Sequence, residues 1–139
     1  MDQMAMFQYM IGNGDYSVTG RHNLKLLALP NPAIVGFVPV PYDFDYTGLV
    51  NTEYAIPGET LGIKSVRERY FLGPCRAKSF YLNAINRIVS FRDEINDLIL
   101  NFEYLDEDAK MDMISFLETF FVAAEDEDFI EDNITITCR

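Results

Sequence analysis

Apolar side chains recur every three to four residues through most of the second half of the chain. This is the spacing of one buried face of an α-helix. The pattern predicts three successive helices, over Lys78–Phe91, Phe91–Leu105 and Asp106–Ala124. The first two are expected to separate near Ser90, and Asp106 is a typical N-cap for the third. The predicted buried stripe of the third helix consists of Met113, Ile114, Leu117, Phe120, Phe121 and Ala124.

Shorter apolar runs predict the other elements of the chain. Met4–Ile11 predicts a buried helix, and Ile63–Leu72 predicts a short helix that stops at Gly73-Pro74. Partial alternation of apolar and polar residues in Ile130–Cys138 predicts a short closing strand. Residues 49–64 contain helix and strand breakers and are expected to be irregular.

Two apolar runs in the first third of the chain predict a β-hairpin. Leu24–Leu29 and Ile34–Val40 have the character of strands, and Pro30-Asn31-Pro32 supplies a turn between them. Pairing the two strands returns the chain to its origin, so Asn23 and Asp43 should meet at the open end. The predicted fold class is therefore α+β, a mainly helical lobe with a short β-hairpin that carries a polar site.

The open end of this hairpin is rich in side chains that can bind a cation. The polar residues concerned are Asp15, His22, Asn23, Asp43 and Asp45. Carboxylate and carboxamide oxygens are suitable ligands for Mg²⁺. We expect Asn23 and Asp43 to share one ion, with Asp15 nearby, while Asp45 holds a second ion or caps the next turn. The alternative is that Asn23 and Asp43 only cap turns.

The order of these residues resembles the C-terminal lobes of atypical kinases, namely the HipA-like, CotH-type and phosphoinositide-kinase-like enzymes. Gly12-Asn13-Gly14-Asp15 resembles the Gly-Asn-x-Asp that opens their catalytic loop. Asn23 resembles their metal-binding Asn, and Asp43-Phe44-Asp45 is similar to their metal-binding Asp segment. Seven residues separate Asp15 from Asn23, where protein kinases have four. The extra residues are expected to loop out.

The resemblance implies phosphoryl transfer, a reaction that depends mainly on positioning and on neutralisation of charge. Asp15 would accept the proton of the attacking hydroxyl, and His22 would orient the loop. Asn23 and Asp43 would bind the Mg²⁺ that bridges the phosphates of ATP. Asp45 is a candidate ligand for a second ion.

The length of 139 residues predicts a single domain, residues 1–139, and a hydrophobic content of 49% is enough for a core. The resemblance implies a longer kinase-like protein, of which this chain would be the C-terminal lobe. No glycine-rich loop and no nucleotide-binding Lys precede Ile11. The isolated chain is therefore expected to be inactive as a phosphotransferase.

An isolated lobe should expose an apolar patch, for which Met4, Phe7 and Leu49 are the candidates. The missing N-lobe or a homo-oligomer contact is the expected partner for this patch. The alternative function, from a different class, is a non-catalytic binding or interaction module that keeps a kinase-like shape.

The formal net charge of −11 argues against a nucleic-acid partner, because neutralising phosphates requires Lys and Arg. No run of residues is long and apolar enough to predict a membrane span, and we favour a cytoplasmic location.

Cys75 and Cys138 either form a single bridge or remain free thiols. Arg67, Arg69 and Arg76 are expected to form salt bridges with acidic residues or to face an anionic ligand.

Overall fold

A computed structural model of the chain describes residues 1–28, 30 and 36–139. Within these residues the structure has four α-helices and one antiparallel hairpin, so the predicted α+β class with mainly helical content is confirmed. The elements are α1 (Asp2–Met10), β1 (Leu24–Ala28), β2 (Phe37–Pro41), α2 (Lys78–Val89), α3 (Arg92–Leu100) and α4 (Glu107–Ala123). A 3₁₀ turn at Glu59–Leu61 and a π-helical turn at Ile130–Thr135 complete the regular structure.

The hairpin is paired as the sequence predicted. Leu24 lies opposite Pro41, and Ala28 lies opposite Phe37. Position 29 and positions 31–35, which include most of the predicted turn and the start of the predicted second strand, lie outside the described residues. The observed pairing fixes the open end of the hairpin at the residues that precede β1 and follow β2.

Helix α1 is the centre of the hydrophobic core. It packs against α2, and its residues Met6 and Gln8 are completely buried. The ring of Tyr9 makes edge contacts with three phenylalanine rings, at centroid distances of 6.1 to 6.2 Å. These rings come from the segment before α2, from α4 and from the chain after α4, so α1 connects the distant parts of the core. The three phenylalanines are Phe71, Phe120 and Phe129.

The three predicted helices of the second half are present and shorter at their ends than predicted. Ser90 ends α2, and Asp106 caps α4 by accepting a hydrogen bond from the backbone N–H of Ala109 at 2.8 Å. The predicted stripe of α4 is buried at its centre, with Leu117 fully covered. Phe116 is also buried, although the stripe did not include it. Its ring is covered by two arginine side chains from outside the helix.

The predicted short helix Ile63–Leu72 is wrong, because this segment is irregular. The Ser65 hydroxyl accepts the backbone N–H of Arg67 at 3.1 Å, and such local bonds compete with helical hydrogen bonding. Val66 and Phe71 are the buried anchors, and they lie five residues apart rather than three or four. Burial of these two side chains therefore requires a different backbone path.

The predicted closing strand Ile130–Cys138 is also wrong. The chain forms a π-helical turn over Ile130–Thr135 and buries Ile130 and Ile134, which are four residues apart. The apparent alternation depended on Ile136, and that side chain is 71% exposed. Helical spacing of the two buried isoleucines determines the local structure.

A disulfide joins Cys75 to Cys138, with a Cα–Cα distance of 4.9 Å. Of the two alternatives that the sequence left open, the structure therefore has the bridge. The tail is also held by backbone hydrogen bonds: Arg139 N–H donates to the Gly73 carbonyl at 3.0 Å, and Cys75 N–H donates to the Arg139 carbonyl at 3.2 Å. The C-terminal residues are fixed beside the segment that precedes α2.

The residues predicted to form an exposed apolar patch are not exposed. Met4 is buried, while Phe7 and Leu49 are half-buried and pack against the core. The Phe7 ring makes an edge contact with Phe44 at 6.1 Å. The prediction that these three residues form an exposed patch is therefore wrong.

In the part of the chain that the structure covers, no helix has the length and apolar character needed to cross a membrane.

Candidate functional site

The loop after α1 carries Asp15, and a buried asparagine determines its shape. Asn13 is 2% exposed, and its Nδ2 donates to Gln8 Oε1 at 3.0 Å. Its Oδ1 accepts the backbone N–H of Asp15 at 2.8 Å. Asparagine side chains commonly bond to the backbone two residues later, which stabilises a turn. Asn13 therefore links the position of Asp15 to the core.

The same loop is attached to the chain that follows the hairpin. Gly48 N–H donates to the Gly12 carbonyl, and Leu49 N–H donates to the Ile11 carbonyl, both at 3.0 Å. A Cβ atom on Gly48 would lie only 2.5 Å from the Val66 carbonyl oxygen, so this close approach requires glycine. These contacts bring the loop of Asp15 beside the segment after β2.

The residues between Asp15 and Asn23 loop out, as the sequence predicted. Ser17 and His22 exchange two backbone hydrogen bonds, at 3.0 and 3.1 Å, and Gly20 N–H donates to Ser17 Oγ at 2.9 Å. This small turn absorbs the additional residues. Asp15 and Asn23 are consequently in direct contact.

Asp15 is the centre of the polar cluster. His22 Nε2 lies 3.0 Å from Asp15 Oδ1, and Asn23 Nδ2 donates to Asp15 Oδ2 and to the Asp15 carbonyl, each at 2.9 Å. The Asn23 carbonyl in turn accepts the backbone N–H of Tyr42 at 3.0 Å, which extends the pairing of the hairpin by one step. Both carboxylate oxygens of Asp15 are therefore engaged at the open end of the hairpin.

Asp43 and Asp45 adjoin this cluster from the segment that follows β2. The Asp45 carboxyl, as a hydrogen-bond partner and as a like charge, raises the pKa of Asp43; burial and the charge of Asp15 add to this effect, and His22 opposes it. Asp45 Oδ2 also accepts the hydroxyl hydrogen of Tyr54 at 3.1 Å. Asp45 and Asp15 are thus close enough to Asp43 to influence the ionisation of its carboxyl group.

The backbone at this end of the hairpin is unusual. Arg21, Asn23 and Asp43 have φ values of 50°, 52° and 61°, in the left-handed region that non-glycine residues rarely adopt. Asparagine and aspartate tolerate this conformation better than most residues. Such strained conformations often cluster at functional sites. The observation supports the choice of this region as the candidate site.

Replacing Asp43 with Asn is expected to raise the melting temperature at neutral pH. Because the pKa of Asp43 is raised in the folded state, the native protein keeps this proton over a window above the ordinary pKa of aspartate. The unfolded chain has already lost it there, so stability falls as pH rises through that window. The carboxamide of the variant cannot ionise, and the melting temperatures of the two proteins should diverge only as pH rises above the ordinary pKa of aspartate, about 3.9. A difference that is independent of pH would contradict this expectation.

A cavity of about 290 Å³ lies beside Asp15. Gly12 and Gly14 of the loop form one wall, and the irregular segment 56–66 forms most of the other. The lining is largely apolar, with Asp15 and Glu59 as its charged members. A small group bound in this cavity would lie next to the Asp15 carboxylate.

The structure brings Asp15, His22 and Asn23 together by direct hydrogen bonds, while Asp43 interacts electrostatically with Asp45 and Asp15. Among residues 1–28, 30 and 36–139, no three His, Cys, Asp or Glu side chains form a ready-made metal site. Asn13 belonged to the predicted site only as part of the Gly-Asn-x-Asp motif, and Tyr54 did not belong to it. The turn preference of asparagine could have indicated Asn13, whereas no local signal identifies Tyr54.

Comparisons of the chain with models of protein families, with curated proteins and with solved structures find no match.

Proposed function

We propose that the chain binds a Mg²⁺–nucleotide complex, with ATP as the expected nucleotide, and takes part in phosphoryl transfer as the kinase-like C-lobe of the intact protein. The observation that carries this proposal is the position of the Asp15 carboxylate. His22 and Asn23 hold it at the open end of the hairpin, beside Asp43 and Asp45. The acceptor substrate is not specified by these residues.

The electrostatics of the cluster favour a divalent cation. Asp45 and Asp15 raise the pKa of Asp43 in part as like charges, and a bound cation would remove this repulsion. Both contacts of Asn23 Nδ2 are with Asp15, so the amide oxygen is the atom of Asn23 that would serve as a ligand. Hard oxygen donors from Asn23 and Asp43 fit Mg²⁺, and Asp45 would support a second ion.

The role proposed for Asp15 is that of a general base. When the acceptor hydroxyl oxygen bonds to the γ-phosphorus, the bond from that phosphorus to the leaving oxygen of the nucleotide breaks, and Asp15 takes the hydroxyl proton. His22 keeps the carboxylate oriented through its contact with Oδ1. The cavity beside Asp15 is the proposed position of the acceptor group.

A second candidate function is a non-catalytic binding module. The observation that favours it is that both oxygens of the Asp15 carboxylate are already engaged, by His22 and by Asn23. A general base needs one oxygen accessible to its proton donor. In a binding module these contacts would only stabilise the loop.

Asp43→Asn is expected to weaken cation binding by about tenfold or more, because it removes one charged oxygen ligand. Mn²⁺ serves as a paramagnetic probe for the Mg²⁺ site, and its free concentration can be measured in a titration of the 139-residue chain with and without ATP. Asp132→Asn is the matched control, since it removes an equal charge from an exposed residue of the π-helical turn. Equal Mn²⁺ affinity for both variants would reject the proposed site.

Phosphoryl transfer separates the two candidate functions. In the intact protein, Asp15→Asn should lower the rate of transfer by about 10² to 10⁴, the usual contribution of a general base. Cation binding without any transfer in the intact protein would identify the binding module instead. The isolated chain is expected to transfer poorly, because positioning provides much of the catalysis.

A further inference from the structure

A second and larger cavity, of about 620 Å³, lies on the side of the loop near the disulfide. This volume is in the range of small-molecule binding sites. Its polar lining comes from three hydroxyl side chains, two arginines and one phenol. These residues are Ser17, Thr19, Thr60, Arg76, Arg139 and Tyr16.

The disulfide places the two arginines at the same cavity. Arg76 directly follows Cys75, and Arg139 directly follows Cys138, so the bridge joins the backbone positions beside them. Only 11 of the 139 residues are Lys or Arg, against 22 acidic residues. Two arginines at one cavity are therefore a local concentration of positive charge in an acidic protein. Asp2 competes with a ligand for Arg76, since its Oδ1 lies 3.4 Å from Arg76 Nε.

Tyr16, one of the residues that line this cavity, has a buried and unsatisfied hydroxyl. Tyr16 is 7% exposed, and its hydroxyl finds no hydrogen-bond partner within the described residues. Burial raises the pKa of this hydroxyl, and the nearby charge of Arg139 partly offsets the effect. A buried polar group without a partner is unfavourable, so it either marks a missing partner or is retained for a purpose.

We propose that this cavity binds a small molecule that carries a phosphate monoester. Guanidinium groups bind phosphate oxygens through paired, charge-assisted hydrogen bonds, and Arg76 and Arg139 would provide them. The Tyr16 hydroxyl would donate to the same ligand and gain the partner that it lacks. The apolar side chains of Val18, Leu61 and Leu72 line the rest of the cavity and would contact the organic part of the molecule.

Phenyl phosphate is a suitable probe, because it combines a phosphate monoester with a small apolar ring. Isothermal titration of the 139-residue chain, with the disulfide intact and without divalent cations, should show saturable binding at one site. Arg76→Gln is expected to weaken this binding by about tenfold or more, through loss of a charge-assisted hydrogen bond. Arg87→Gln, which removes an arginine from the exposed surface of α2, should leave the affinity unchanged. Absence of saturable binding, or equal weakening in both variants, would overturn the proposal.

Tyr16→Phe provides a second and milder test. It removes only the hydroxyl, whose hydrogen bonds are unmade in the free protein, so the melting temperature should not fall. Affinity for phenyl phosphate should decrease several-fold, because the donor to the ligand is lost. An unchanged affinity would contradict the assigned role of Tyr16. Benzoate serves as a comparison ligand, and binding of benzoate as tight as that of phenyl phosphate would refute the selection for phosphate.

Discussion

Arg69→Met is expected to lower the free energy of unfolding by about 3 kcal/mol, because it removes three charge-assisted hydrogen bonds of a half-buried guanidinium group. Arg69 Nε donates to the Met10 carbonyl at 2.9 Å. Nη1 donates to Thr119 Oγ1 and Nη2 to the Phe116 carbonyl, both at 2.7 Å. The guanidinium carbon also lies 4.1 Å from the centroid of the Phe116 ring. One side chain thus joins the end of α1 to the middle of α4.

Removal of Arg69 would leave the Met10 carbonyl without its donor, whereas the Phe116 carbonyl would keep the hydrogen bond from the Thr119 hydroxyl. Met10 is the last residue of α1, and carbonyls at a helix end have no partner within the helix. Burial lowers the pKa of Arg69 to about 10, so the side chain remains protonated at neutral pH and its hydrogen bonds are charge-assisted. Methionine keeps much of the side-chain length and provides none of these donors.

Urea unfolding of the purified chain measures this effect. Arg69→Lys should give an intermediate loss, because lysine keeps the charge but lacks the planar fork of donors. Arg87→Met is the control, since Arg87 is exposed and stacks only on the Phe91 ring, and a change within about 0.5 kcal/mol is expected. Equal destabilisation by Arg69→Met and Arg87→Met would show that the buried network contributes nothing.

Replacing both Cys75 and Cys138 with Ser is expected to lower the free energy of unfolding by about 4 kcal/mol. The bridge spans a sequence separation of 63 residues, and closing a loop of this length restricts the unfolded chain considerably. Urea unfolding of the oxidised, the reduced and the double-Ser proteins provides the comparison. The reduced and double-Ser proteins should agree with each other, and reductant should not affect the double-Ser protein. Identical stability of the oxidised and reduced proteins would contradict the expectation.

Disulfides persist mainly in oxidising compartments. The presence of the Cys75–Cys138 bridge therefore favours such a compartment over the cytoplasmic location that the sequence suggested.

Local patterns predicted those parts of the fold that depend on local interactions. The hairpin follows from two apolar runs, and the N-cap at Asp106 follows from a polar residue before an amphipathic helix. The segment Ile63–Leu72 could not be predicted in this way. Its path depends on Arg69, which reaches acceptors 47 to 59 residues away in the sequence. The pattern of hydrophobic residues gives no information about hydrogen bonds between residues so far apart in the sequence.

The candidate site also combines contacts that the sequence indicates with contacts that it does not. The sequence predicted that Asp15 lies near Asn23 at the open end of the hairpin, and the structure has a direct hydrogen bond between these two side chains. The engagement of both Asp15 oxygens depends on His22, whose position is determined by a turn of its own. The hydrogen bond from Tyr54 to Asp45 arises where an irregular segment folds back, and no periodicity indicates it.

The bridge between Cys75 and Cys138 also divides the molecule topologically. It closes a covalent ring that contains α2, α3 and α4, while the polar cluster lies on the open arm before Cys75. A protease that cuts once within the ring leaves a single molecule of nearly unchanged mass until a reductant is added. A cut in the exposed segment around Ile56 instead separates the polar cluster from the ring, and only noncovalent contacts would then hold the two parts together. Non-reducing electrophoresis under denaturing conditions therefore distinguishes scission of the helical ring from scission of the arm.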